Sequence, residues 1–82
     1  MSVTTEIQSS KEASAGFRYI VTDAKVTGVY QGSPPRALIN GRLIRVGQML
    51  DEGLAISFAG IDAENRILNF VDRSGARVSK RY

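Results

Sequence analysis

The apolar positions of this chain fall into short runs separated by glycine, proline, asparagine and aspartate, a pattern of strands and tight turns. The stretch that organises the rest is Pro34 to Gly47, PPRALINGRLIRVG. At its centre Asn40-Gly41 is a strong hairpin signal. A two-residue type I′ turn needs positive φ at both central positions, which Asn tolerates and Gly adopts without steric cost. Pairing outward from the turn sets Ile39 opposite Arg42, Leu38 opposite Leu43, Ala37 opposite Ile44 and Arg36 opposite Arg45. Leu38 and Leu43 then share one face of the hairpin, and Ala37 and Ile44 the other. Gly47 closes the hairpin, and Gly75 marks a later turn.

On either side of this hairpin the pattern predicts further short strands. Residues 1–16 are rich in Ser, Thr and Ala and show no sustained period, so they read as a disordered tail or linker, with a helical turn capped by Ser9 or Ser10 as a minor element. Residues 17–82 read as a small β domain. Phe17–Val21 is aromatic and β-branched and reads as a strand, broken at Thr22-Asp23. In the next run, Val26, Gly28 and Tyr30 fall on one face and Lys25, Thr27, Val29 and Gln31 on the other, with Gly28 marking a bulge or bend. Gln48–Glu52 reads as a helical turn or tight loop with Gly53 as its stop. Leu54–Ile61 is a strand with Leu54, Ile56 and Phe58 inward and a bulge at Gly60. After a turn at Asp62–Asn65, the strand at Ile67–Val71 is apolar on both faces and so central to its sheet. The last run alternates, with Ala76, Val78 and Tyr82 inward and Arg77, Ser79 and Arg81 outward. The expected fold class is therefore all-β, a small antiparallel barrel or sandwich of five to six short strands, since closure hides sheet edges.

Composition narrows the chemistry. The 82 residues allow one domain, and a hydrophobic share of 43% is ordinary for a globular chain. No apolar run approaches the ~20 residues that span a bilayer, and the first residues have no basic region or apolar core of a signal peptide. The sequence has no Cys and no His, which removes thiol nucleophiles, disulfides, imidazole bases, Ser-His-Asp triads and zinc-finger ligand sets together. Of the carboxylates, Asp51-Glu52 and Asp62/Glu64 sit in turns, where Asp bonds its own backbone, and they do not converge as an acid–base pair. Neither a phosphate-cradling glycine loop nor a calcium loop is present. No catalytic residue, metal ligand or cofactor is expected, and the chain reads as a non-enzyme.

The charge points to binding. Eleven basic residues against eight acidic ones give a net +3, and residues 73–82 carry Arg73, Arg77, Lys80 and Arg81 without an acid. A solvated strand face accounts for this run, and so does an acidic partner. Tyr30 near Arg36, and Tyr82 beside Arg81, are the places where bases could stack.

From Lys25 to Tyr82 the chain resembles a known family. The pieces are Thr27-Gly28-Val29, a Gly/Pro turn, Ala37-Leu38-Ile39-Asn40-Gly41-Arg42, Arg45-Val46-Gly47-Gln48, then LAISFAGI and RILNFVDRSG. This order resembles the periplasmic β domain of type IV pilus inner-membrane lipoproteins of the PilP type. It is also similar to the homology region of type II secretion inner-membrane protein C and to the C-terminal domain of secretion protein B. The resemblance implies a compact antiparallel β fold without catalysis, in the periplasm or cell envelope, docking on a secretin or an inner-membrane partner.

The expectation is a non-enzymatic protein–protein interaction module of a bacterial secretion or pilus assembly. Two modes are open to it. The edge strand at Lys25, Thr27 and Val29 can accept a partner strand, or Arg42, Arg45, Arg77 and Arg81 can meet an acidic surface. A basic barrel that binds nucleic acid is the alternative, and self-association into a homo-oligomer through an open edge is a further one.

Overall fold

In the computed structural model, residues 12–82 are described. The hairpin forms as its sequence dictates. Asn40 and Gly41 have φ of 52° and 79°, and all four expected cross-strand pairs are present. Strand β2 (Arg36–Ile39) and strand β3 (Arg42–Arg45) are its arms. Strand β1 (Val26–Tyr30) pairs with β2 on the other side, so the first sheet has the order β1-β2-β3. The chain then enters a second antiparallel sheet, β4 (Met49–Asp51), β5 (Ile56–Asp62), β6 (Ile67–Val71) and β7 (Arg77–Arg81), in sequence order. The fold is thus mostly β, with seven strands in two antiparallel sheets rather than five to six strands.

The Phe17–Val21 strand is overturned. These residues lie in helix α1 (Ala15–Asp23), whose N-cap Ser14 accepts the amide of Phe17 at 3.1 Å. The physical reason is the spacing of the apolar residues. Phe17, Ile20, Val21 and Ala24 stand at i, i+3, i+4 and i+7, one helical stripe, and Phe17, Val21 and Ala24 are buried. Burying Phe17 and Val21 contributes roughly 2 kcal/mol each, enough to outweigh the strand propensity of FRYIV. At the other end Lys80 Nζ donates to the Thr22 carbonyl at 2.8 Å, satisfying an orphan acceptor of the last turn and tying the helix to β7. Helix α1 and its cap Ser14 therefore begin inside the expected 1–16 tail. Residues 1–11, with the turn at Ser9 or Ser10, lie outside the described residues.

Two further expectations change. Gln48–Glu52 is not a helical turn: Met49 to Asp51 form β4, Leu50 is buried, and Phe58 exchanges backbone bonds of 2.9 Å with Gly47 and Gln48. Leu54 does not face inward. It sits in the turn before β5 and is 39% exposed, and the residue there with left-handed backbone is Ala55 (φ 54°), not Gly53. The bulge at Gly60 is present as a register shift between Phe58 and Gly60. Strand β6 lies between β5 and β7, which explains why its sequence is apolar on both faces.

One core joins these parts. Phe17, Val21 and Ala24 from the helix and its cap meet Ala37, Ile39 and Ile44 from the first sheet. Leu50, Ile56, Phe58, Leu68 and Phe70 come from the second, with Ala76 just before β7. Phe58 and Phe70, paired across β5 and β6, set their ring centroids 5.6 Å apart at a tilt of 34°. Among the described residues no polar or charged side chain is buried, so the chemistry these residues offer lies on the surface.

Candidate binding face of the first sheet

The inner face of β1–β3 carries Ala37, Ile39 and Ile44 into the core, so the alternate residues face solvent. Register places them in two cross-strand rows, Tyr30–Arg36–Arg45 and Gly28–Leu38–Leu43. Tyr30 and Leu43 are large and exposed, at 47% and 54%, as is Met49 on neighbouring β4 at 45%. Two shallow open depressions flank Leu43. One is lined by Ser33, Pro34, Arg36, Arg45 and Gln48, and the other by Arg42, Ile44, Gln48, Met49 and Glu52.

The local sequence builds this face. A β-bulge between Val26 and Gly28 makes Thr27 the extra residue of β1. The expected alternation breaks there: Val26 and Val29 both pack against the core, opposite Ile39 and Ala37, while Gly28 and Tyr30 turn outward. Gly28 has room for Tyr30 because it has no side chain. A Cβ there would lie 2.8 Å from the Tyr30 hydroxyl, so the ring leans back along the strand over the glycine.

Arg36 and Arg45 face each other across β2 and β3. The Val46 amide bonds the Pro35 carbonyl at 3.0 Å, which makes 35–46 a hydrogen-bonded pair and 36–45 a pair without mutual bonds, where side chains come closest. Like charges directly opposite repel. Among the described residues the ion pair is Arg18–Glu12, so no carboxylate of those residues neutralises Arg36 or Arg45. Arg36 instead bonds the Pro34 carbonyl at 3.5 Å.

The other expected binding residues are dispersed. Lys25 and Thr27 are exposed at or beside edge strand β1, while the Val29 side chain turns inward. Arg42 reaches the Met49 carbonyl at 3.3 Å, bridging β3 to β4. Arg77 and Arg81 are exposed on β7, in the other sheet, so the four arginines do not form one surface. The two tyrosines are likewise separated: Tyr82 follows β7 and its ring lies under Arg66, 4.9 Å from the guanidinium carbon. Sequence reasoning missed Arg36, Leu43 and Met49 as a group. The pairing of Arg36 with Arg45 and of Leu38 with Leu43 was legible; their exposure was not.

Asp62 and Asp72 are held below the ordinary carboxylate range by turn bonds. The Asn65 side chain is the main cause for Asp62, and the Ser74 hydroxyl for Asp72. Both close turns, at 2.8 Å to Asn65 Nδ2 and 2.7 Å to Ser74 Oγ. The described residues contain no group of three His, Cys, Asp or Glu side chains placed to hold a metal, and no helix among them is long and apolar enough to cross a membrane. Compared with family models, curated proteins and solved structures, the chain matches none of them.

Proposed function

We propose that this chain is a non-enzymatic protein–protein interaction module of a bacterial envelope assembly, docking on a secretin or an inner-membrane partner through the outer face of β1–β3. One observation carries the reading: Tyr30, Leu43 and Met49 are exposed on or beside a single sheet face, with arginines among them. Exposed aromatic and aliphatic anchors among arginines are the residue types that dominate protein interfaces. The envelope setting, of the type II secretion or type IV pilus kind, rests on the resemblance of Lys25–Tyr82 to periplasmic domains of those machines. Strand β1, at the edge of its sheet, offers a second contact by strand addition next to the same face.

Nucleic-acid binding is the second reading, and Tyr30 beside Arg36 is the observation in its favour. Single-stranded binders use several aromatics along one groove. Here Tyr30 is on the first sheet while Tyr82 follows the last strand of the second, and the row next to Tyr30 carries Leu38 and Leu43 rather than a second aromatic. Protein docking therefore accounts for more of the face.

Cross-linking of the tagged chain in its host's envelope and cytosolic fractions, with and without nuclease, tests the proposal. Enrichment of a secretin or pilus inner-membrane protein that survives nuclease is expected. Recovery of nucleic acid and its proteins alone, lost on nuclease treatment, refutes it.

A further inference from the structure

Building on the docking reading, we infer that the outer face of β1–β3 recognises an acidic segment of a partner protein that carries aliphatic side chains. Its carboxylates seat between Arg36 and Arg45, and its apolar residues lie against Leu38 and Leu43. The inference rests on charge complementarity. Two arginines stand opposite each other in the closest kind of cross-strand pair, and the depression they line with Ser33, Pro34, Leu43 and Gln48 contains no acid. Such a pair repels in the free chain, and a carboxylate placed between them removes the repulsion while accepting charge-assisted hydrogen bonds. The second row decides what else the ligand carries. Leu38 and Leu43 are aliphatic and the Tyr30 ring over Gly28 is a single platform, where single-stranded nucleic acid is held by several stacked bases, and the concavities on both sides of Leu43 suit inserted side chains better than a flat bilayer.

The test is titration of the isotope-labelled 82-residue chain, followed by amide chemical shifts. The probes are a peptide of alternating Asp and Leu, its counterpart with Lys for Asp, an oligothymidine, and phosphatidylglycerol vesicles. The acidic peptide is expected to move the amides of Leu38, Leu43 and Arg45, with affinity falling as salt rises. Arg36→Gln combined with Arg45→Gln is expected to weaken it about tenfold, the equivalent of ~1.4 kcal/mol, whereas Arg77→Gln with Arg81→Gln leaves it unchanged. Arg45→Glu is the decisive variant: it places opposite charges across the hairpin, so thermal stability rises while peptide binding is lost. Binding of the acidic peptide to Arg45→Glu as tight as to the original chain overturns the inference. So does peptide binding elsewhere or not at all, or preferential occupancy of this face by oligothymidine or vesicles. The two proposals fail separately. A secretin or inner-membrane partner that still cross-links to the chain with Arg36→Gln and Arg45→Gln leaves docking intact and removes the acidic-segment site.

Discussion

Asn40 clamps the hairpin turn to the start of β1 through Lys25. Its side-chain Oδ1 accepts the Lys25 amide at 2.9 Å, and its own amide donates to the Lys25 carbonyl at 2.8 Å. One residue thus supplies the left-handed backbone of the turn and ties it to the chain entering β1 by one backbone bond and one side-chain bond. The side-chain bond and the conformation are separable. Asn40→Asp keeps both and should be close to the original in stability. Asn40→Gly keeps the turn but loses the acceptor, at a cost of about 1 kcal/mol. Asn40→Ala loses the acceptor and adds left-handed strain, about 2–3 kcal/mol in all. Urea midpoints of the three variants should fall in that order; Asn40→Gly as stable as Asn40→Asp would show that the clamp contributes nothing.

Phe17 and Tyr19 provide a sharp contrast between helix and strand. A strand would set them on one face, two residues apart, whereas the helix buries Phe17 completely and leaves Tyr19 68% exposed. Phe17→Ala should destabilise by about 3–4 kcal/mol, which in a domain this small is a large part of the total. Tyr19→Ala should stay within about 0.5 kcal/mol. Similar losses for both variants in chemical denaturation would contradict the helix.

Ala55 carries a φ of 54° in the turn between β4 and β5. An L-residue there costs ~1–2 kcal/mol, which glycine avoids while giving back part of the gain as chain entropy. Ala55→Gly should therefore stabilise the chain by about 0.5 kcal/mol, and Ala55→Val should destabilise it. A lower thermal midpoint for Ala55→Gly would mean the turn is not strained.

Asp72 accepts the amides of Ser74 and Ala76 and the Ser74 hydroxyl, and these bonds, the Ser74 hydroxyl foremost, hold its carboxyl below the usual carboxylate range. A carboxyl whose folded-state pKa is depressed adds stability above its unfolded value, and that stability disappears as pH falls through the folded value. The thermal midpoint of the original chain should exceed that of Asp72→Ala between pH 5 and 7. The gap should narrow only below the ordinary Asp range. Asp62, lowered chiefly by Asn65, should behave the same way. A gap independent of pH down to strongly acidic conditions would assign the effect to the turn's shape rather than to the charge.

How much was legible depends on how local each cause was. The hairpin register, the central position of β6, the bulge at Gly60 and the outward set Arg77, Ser79 and Arg81 all follow from period-two patterning and turn chemistry within a few residues. Helix α1 was missed because FRYIV satisfies strand propensity, while the competing period needed Ala24, beyond the apparent break at Thr22-Asp23. Strand β4 was missed because QMLDE has helix-forming residues, and its identity rests on hydrogen bonds to β5 near Phe58.

By itself the sequence determined an all-β chain turned at Asn40-Gly41, with Leu38 beside Leu43 and Arg36 beside Arg45. These are short-range consequences of backbone sterics and side-chain alternation. Only the tertiary structure decided which side of that hairpin became core. Helix α1 and the second sheet fill one face with Phe17, Phe58 and Phe70, leaving the arginine and leucine pairs on the outer face, with Leu43 and Arg45 exposed and Arg36 and Leu38 half-buried. That choice is long-range because both faces of the hairpin carry apolar residues, and burial went to the face that packed against the rest of the chain.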